Sequence, residues 1–466
     1  LSRRAAILAT CCLSLFLVTL DLTIVNVALP AIRRDLNASV AGLAWAVDGY
    51  TVVVASLLVL GGSLADRWGR RTMFQRGLAV FTVGSVLCSL APSVLALVGA
   101  RMLQAIGGSM LNPVAMAIVV TTFPAPAERA RALGVWGATF GLSMAAGPWL
   151  GGILVHTLGW RSIFWVHVPM GVLALALSAM LLPARDEAHA SASPRPLDWQ
   201  AQLLLAVGLF ALVAAVIDAR RAGIVSPFVL GGLLLAAAAA VSLVAWESRH
   251  PTPLLDAEVL GAPALRSAMS LAALSFAAFS CFLFVNALYL QEARGLDAEA
   301  AGRMTAPVAL GLLVSSPRAG RWVAEGRSRR ALVTAGASIA AGALLLARVE
   351  VTTPTAQLLV AYALFGVGIG HVGAPVNAMA VAGLPPHRAA FAAALASTSR
   401  QIGAALGVAM AGALGGEGLA HGAAAARSAH AVYGMTAMAG IAVAMLGSYA
   451  TGARPLRRDR AIGPAT

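Results

Sequence analysis

The chain has 466 residues, of which 59% are hydrophobic and only 11% charged. A water-soluble globule cannot hide that much apolar surface. Apolar stretches of about 20 residues recur along the chain, long enough to cross about 30 Å of hydrocarbon as helices. The formal charge of +14 comes from arginine alone and sits mostly between apolar runs, which favours a lipid bilayer over nucleic acid as the partner.

The expectation is an all-α polytopic membrane protein. Its spans fall at roughly 5–29, 43–64, 72–91, 96–121, 131–155, 161–182, 197–217, 225–246, 265–290, 300–322, 331–349, 355–383, 389–414 and 431–451. That is fourteen transmembrane helices, and an even count puts both termini on one side. Arginines crowd at alternate connections, including Arg67, Arg70, Arg71 and Arg76, then Arg318, Arg321, Arg327, Arg329 and Arg330. Retention of positive charge inside predicts cytoplasmic termini. Leu1 runs almost directly into the first span, so no cleavable leader is expected. Cys11, Cys12, Cys88 and Cys281 lie in apolar runs, with neither metal nor disulfide spacing.

The first span reads L-D-L-T-I-V-N-V-A-L-P around Asp21. A carboxylate at membrane depth costs roughly 2.5–3.5 kcal/mol even on lenient scales, so it should face the bundle interior or water. An acid that loads and releases a proton is what a proton-coupled pump needs; the bland alternative is a structural ion pair. Asn26 and Pro30 are expected to loosen the helix's outer end. Asp48 and Tyr50 open the second span near the surface, where an acid is cheap, and Asp48 is a lesser candidate for proton coupling. The stretch Gly61–Arg71, with Gly62, Asp66, Arg67, Gly69, Arg70 and Arg71, reads as a tight charged cytoplasmic loop between spans two and three.

In the fourth span, Arg101, Gln104, Gly108 and Asn112 share one helical face. A polar stripe there should line a cavity, unless Arg101 snorkels to the surface. Asp21 lies about 12 Å and Arg101 about 8 Å below the outer ends of their spans, so the two can meet. The fifth span carries Gly137, Gly141, Ala145, Pro148 and Gly152 on one face, the spacing that lets helix backbones touch. Residues 183–196 form a polar, proline-containing linker. The runs Leu203–Val216 and Leu230–Val244 are nearly featureless and read as lipid-facing inserted helices. In the C-terminal part, Asn286, Asn377 and Arg400 are substrate-cavity candidates with Asn26, Gln104 and Asn112, and His371 reads as structural. Trp45, Trp136, Phe140 and Tyr289 could contact a substrate. Span four (from Leu103) and span twelve (from Phe365) align at an offset that pairs Gly108 with Gly370, Pro113 with Pro375 and Val114 with Val376. No phosphate loop of the form G-x-x-x-x-G-K-[ST] occurs, so ATP is not the expected driver and no enzyme is indicated.

Together these stretches resemble the major facilitator superfamily, and most closely its fourteen-span drug:proton antiporters. The resemblance rests on Gly61–Arg71, on the first-span run at Asp21, and on Arg101–Gly108. Further support comes from Gly141–Gly152 ending G-P-W-L-G-G, from W-R-S-I-F-W-V-H-V-P at Trp160, and from S-T-S-R-Q-I-G-A-A-L-G at Ser397. It implies two six-helix halves, 1–182 and 251–466, with 183–250 holding a linker and two inserted helices. It also implies proton coupling through Asp21, tuned by Arg101, with conformational switching at Gly62–Arg71. An antiporter-type fifth helix follows, carrying Gly141, Gly147, Pro148, Gly151 and Gly152. The implied activity is export of a small amphipathic drug or antibiotic across a bacterial cytoplasmic membrane, by a monomer driven by the proton gradient with no other cofactor. An uptake symporter and a non-transporting sensor or scaffold are the alternatives. The second-half loop from Pro317 lacks the aspartate equivalent to Asp66, a place that Glu325 could take.

Overall fold

The computed structural model describes residues 2–182, 198–223, 225–249, 261–382, 384, 386–420 and 422–450, and among these it contains helices and no strands. The N-terminal helices are α1 (Arg3–Leu36), α2 (Val40–Trp68), α3 (Arg70–Ser89), α4 (Val94–Thr122), α5 (Pro126–Leu158), α6 (Ser162–Trp165) and α7 (His167–Leu181). Two more follow, α8 (Trp199–Ala222) and α9 (Pro227–Glu247). The C-terminal set is α10 (Pro263–Leu288), α11 (Ala298–Met304), α12 (Ala306–Ala324), α13 (Ser328–Leu346), α14 (Thr355–Gly370), α15 (Gly373–Val381), α16 (Pro386–Gly415) and α17 (Gly422–Ala450). Ser39, Ser93 and Asp297 cap α2, α4 and α11 by accepting a backbone N–H, which satisfies a donor the helix leaves free.

Twelve helical segments among the described residues are long and apolar enough to cross a membrane. The expected spans 72–91 and 300–322 fall on α3 and on α11–α12, which lie outside those twelve. The first of these opens on Arg70, Arg71 and Arg76; the second is broken at Thr305 and carries Arg318 and Arg321.

The sequence reading needs correction at three places. Gly61–Arg71 is not a loop: α2 runs through Trp68 and α3 starts at Arg70. The only break is Gly69, at φ +89°, a backbone conformation that glycine adopts without steric cost. The first helix runs past the expected span 5–29: α1 continues through Pro30 to Leu36. Finally, α8 is not simply lipid-facing. It packs on both α2 and α16, whereas α9 packs mainly on α8.

The helix pairs α3–α4, α2–α4 and α1–α5 recur as α13–α14, α12–α14 and α10–α16. The two sets meet where α2 packs on α16 and where α5 packs on α11 and α12. At the Asn37 end of the bundle, Glu417 accepts the Val40 N–H at 2.9 Å and lies 3.9 Å from Arg33. There Gln291 also donates to the Val27 carbonyl at 2.8 Å, and His156 lies 3.8 Å from Asp297.

The fifth-helix glycines divide between two neighbours. A Cβ at Gly147 would collide with the Thr23 hydroxyl of α1, and one at Gly151 would sit 2.8 Å from Ile24. A Cβ at Gly152 would sit 2.5 Å from the Ala298 carbonyl of α11, while Gly141 meets only Leu312 at 3.5 Å. Gly137, expected on the same contact face, has nothing within 4 Å. Overpacking a tight contact costs roughly 1–3 kcal/mol. Gly152→Leu is therefore expected to lower the thermal midpoint of the detergent-purified protein, whereas Gly137→Leu leaves it unchanged. Equal effects of the two substitutions would contradict this assignment of contacts.

Candidate functional site

A fully enclosed polar group is built by four helices. Asp21 of α1 is 0% exposed and Arg101 of α4 is 1% exposed. The Arg101 Nη1 donates to Asp21 Oδ2 at 2.5 Å and to Gln104 Oε1 at 2.7 Å. Its Nε donates to the Ala46 carbonyl of α2 at 3.1 Å. One turn on from Arg101, Gln104 donates through Nε2 to Asp21 Oδ1 at 3.1 Å and to Ser85 Oγ of α3 at 2.9 Å. Each carboxylate oxygen thus accepts a separate donor, and the guanidinium spans α1, α2 and α4.

Aromatic walls exclude water from this knot. The Arg101 guanidinium lies 4.4 Å from the Tyr50 ring centroid and 5.8 Å from that of Phe164, both fully buried. A cation over an aromatic face recovers part of the solvation it has lost. Close helix approach sets the depth of the knot. A Cβ at Gly84 would lie 2.5 Å from the Gln104 Cα, and one at Gly108 would lie 2.5 Å from the Tyr50 hydroxyl. Breaking a buried pair by removing one partner costs about 3–5 kcal/mol, because the other charge stays behind uncompensated.

The expected meeting of Asp21 and Arg101 is found, but the expected cavity beside them is not. Arg101 and Gln104 are consumed within the knot, Gly108 faces Tyr50, and only Asn112 of that stripe is partly exposed. Asp48 also differs from its expectation as a surface acid. It is fully buried, and neither carboxylate oxygen has a hydrogen-bond partner. It lies one turn from Ala44, which abuts Gly412 of α16, and one turn from Val52, which meets α8 and α16. Covering by helices distant in sequence is what turns this surface position into a core one. His167 of α7, which sequence reasoning passed over, is likewise buried, with Phe81 edge-on at 5.6 Å and no partner for either ring nitrogen. Its only signal was a histidine inside an apolar run.

Of the proposed switch residues, Arg70 donates to the Ala117 carbonyl at 3.4 Å and to Thr121 at 3.3 Å, and Arg71 donates to the Ala179 carbonyl at 2.9 Å. These arginines meet the C-terminal ends of α4 and α7, where the helix dipole favours cations. Arg67 is exposed; the burial of Gly62 and the side chain of Asp66 lie outside what the structure describes. Glu325 does not extend across the bundle but pairs locally with Arg327 at 2.9 Å.

Among the cavity candidates, Asn26 and Asn286 come together. With Thr23, Pro148, Gln291 and Thr305 they line a small space between α1, α5, α10 and α11. Asn286 also accepts from the Tyr362 hydroxyl, giving α10 and α14 a neutral counterpart of the ionic knot. Asn377 Oδ1 accepts from Arg400 Nη1 at 3.2 Å. Tyr289 is buried and donates to the Glu350 carbonyl at 2.8 Å, which makes it an anchor. His371 sits at the α14–α15 break, with Nδ1 2.8 Å from the Val367 carbonyl.

The chain as a whole is similar to several known proteins. The chain is 34% identical to Multidrug resistance protein Stp of Mycobacterium tuberculosis over 400 residues, covering 86% of this chain and 74% of that protein. It is 38% identical to Puromycin resistance protein pur8 of Streptomyces alboniger over 399 residues, covering 84% and 78%. It is 35% identical to Cephamycin export protein CmcT of Amycolatopsis lactamdurans over 462 residues, covering 96% and 91%. In fold it is similar to an auto-inhibited POT family peptide transporter, with a TM-score of 0.68 at 18% identity over 100% of this chain and 99% of the other. A bacterial homologue of the human lysosomal transporter Spinster, inward-facing and unoccupied, gives 0.67 at 17% identity over 97% of each chain. Residues 11–408 match the sequence profile of the Major Facilitator Superfamily, and the chain belongs to that family.

Proposed function

We propose that this protein is a proton-driven exporter of small amphipathic drugs or antibiotics, working by alternating access in a bacterial cytoplasmic membrane. The observation that carries the reading is the sealed Asp21–Arg101–Gln104 knot: a carboxylate at membrane depth whose charge is tied to contacts between four helices. Relatives named for multidrug resistance and for export support it. In this reading both termini are cytoplasmic and fourteen segments cross the bilayer. Residues 1–182 and 251–466 act as the two halves, 183–250 is inserted between them, and the unit is a monomer.

A proton arriving at Asp21 cancels the charge that Arg101 and Gln104 hold. The guanidinium then keeps only Gln104, the Ala46 carbonyl and its aromatic neighbours, so the tie between α1 and α4 weakens. The helix α5 transmits the change. Its Gly147 and Gly151 rest on α1, while its Gly152 and Pro148 rest on α11. Proton loading on the first set of helices therefore acts directly on the contact with the second. With the Asn37 end outward, the ties at Glu417, Gln291 and Asp297 close the outer side.

Inverted membrane vesicles with an acidic lumen test the reading. Proton exit is expected to drive dye accumulation in the native protein, and Asp21→Asn is expected to abolish it. Arg101→Ala is expected to shift the pH dependence of accumulation. Thermal midpoints of each variant separate misfolding from lost coupling, and the pair Asp21→Asn with Arg101→Gln removes both charges together. Gradient-driven accumulation by folded Asp21→Asn at the native rate would overturn the assignment.

Asp48 is the second acid assigned to coupling. The isosteric Asp48→Asn is expected to fold normally and to reduce accumulation less than Asp21→Asn does. Asp66, with Gly62, Arg67, Gly69, Arg70 and Arg71, is assigned to conformational switching. Asp66→Asn is expected to slow turnover while leaving the apparent KM for dye little changed; a large loss of affinity at normal turnover contradicts that role.

A further inference from the structure

Arg400 stands midway along α16, at the depth where a bilayer-spanning charge is hardest to keep. Its Nη1 donates to Asn377 of α15, and its guanidinium lies 5.9 Å from the Phe276 ring of α10. Three C-terminal helices therefore position it. It remains partly exposed, as do Ser397 and Gln401 beside it on α16.

What it lacks among the described residues is a counter-ion. Among the described residues no carboxylate forms an ion pair with Arg400. The described acids of the C-terminal helices, Glu292, Asp297, Glu299, Glu325, Glu350 and Glu417, all lie at or beyond helix ends. In the N-terminal helices, Asp21 is engaged by Arg101, and Asp48 is buried with both oxygens unbonded. A membrane-depth arginine is ordinarily paired or directed at water or a ligand. Asn377 occupies one donor and leaves the rest of the guanidinium fork open, in the geometry that holds a carboxylate through two parallel bonds. The space lined by Asn26, Asn286, Gln291 and Thr305 offers only uncharged amides and hydroxyls as its polar groups. Nothing described around either place recommends a cationic ligand.

We propose that Arg400, positioned by Asn377 and Phe276, is an anion subsite, and that the exported compounds are amphipathic organic acids whose carboxylate or equivalent acidic group seats on it. This rests on the export reading and narrows its substrate class. It also makes transport electrogenic: an anion leaving while a proton enters moves charge inward twice, and an inside-negative membrane potential favours both movements.

Dansyl-leucine, its methyl ester and ethidium are matched probes for this proposal. Binding of the dansyl pair to the purified full-length protein is read by energy transfer from tryptophan, and gradient-driven accumulation of both dansyl-leucine and ethidium is read in inverted vesicles. The native protein is expected to bind the acid about tenfold or more tightly than the ester, the range of a charge-assisted hydrogen bond. Arg400→Gln is expected to remove that preference, and Arg400→Lys to restore part of it, with thermal midpoints confirming that both fold. Equal binding of acid and ester by the native protein, no binding of either, or an intact preference in Arg400→Gln overturns the proposal. Gradient-driven, Asp21-dependent ethidium accumulation without dansyl-leucine binding leaves export standing and sinks the anion subsite alone. If no probe moves with the gradient, both readings fall.

Discussion

A charge that cannot reach water constrains everything around it. Arg101 and Asp21 are each sealed by helix backbone and aromatic rings, so each depends on the other and on Gln104 for solvation. That requirement fixes the relative heights of α1 and α4 and brings α2 in through the Ala46 carbonyl. It also draws α3 so close that position 84 tolerates no side chain. Lipid offers no hydrophobic force to press these helices together, so close packing of small residues and interhelical hydrogen bonds must supply it. The knot concentrates the second; the glycines supply the first.

The same constraint explains why α5 can serve two partners. A helix with bulky side chains all round would either stand away from α1 or stand away from α11. Gly147 and Gly151 let α1 approach on one side, and Gly152 lets the Ala298 backbone approach on another. Gly302 of α11 completes the contact, since a Cβ there would also strike the Pro148 carbonyl. A contact made of backbone against backbone has few side-chain rotamers to adjust. Movement of α1 is therefore passed to α11 with little slack, as alternating access requires of a helix shared between two moving bodies.

Much of this was legible in the sequence because lipid makes polarity informative. An aspartate and an arginine inside apolar runs, at compatible depths, had few places to go but to each other. Arg400 could be suspected on the same ground, although the absence of a counter-ion among the described residues emerges only when the described helix ends are placed. The stripe of Arg101, Gln104, Gly108 and Asn112 misled because helical spacing tells which residues share a face and not what covers that face. Here α1, α2 and α3 cover it, and the expected cavity is a packed knot. Charge density also misled at Gly61–Arg71. Arginines at helix termini are held by neighbouring helix carbonyls, so a charged run did not need a loop, and one glycine was enough to turn the chain.

The placement of α8 shows a further limit of local reading. Its Leu/Ala/Val composition cannot distinguish lipid from the apolar seam between α2 and α16, because both ask only for apolar surface. In the fold, Leu209 and Val213 lie against Val52 and Ala55 of α2 and against Ile402 and Ala405 of α16. Gln202 of the same helix donates to the Ser56 carbonyl. The helix α8 therefore contacts both surfaces of the α2–α16 seam. Asp48 lies on the helical face of α2 that carries Ala44 and Val52, within the same covered seam and without a hydrogen-bond partner. An unpaired carboxylate is far costlier to bury ionised than neutral. Opening this seam changes the surroundings of Asp48 at the same moment that it changes the footing of α8. On the proposed export reading, this gives proton occupancy and helix separation a second place to act on each other, on the same helix α2 that supplies the Ala46 carbonyl to Arg101.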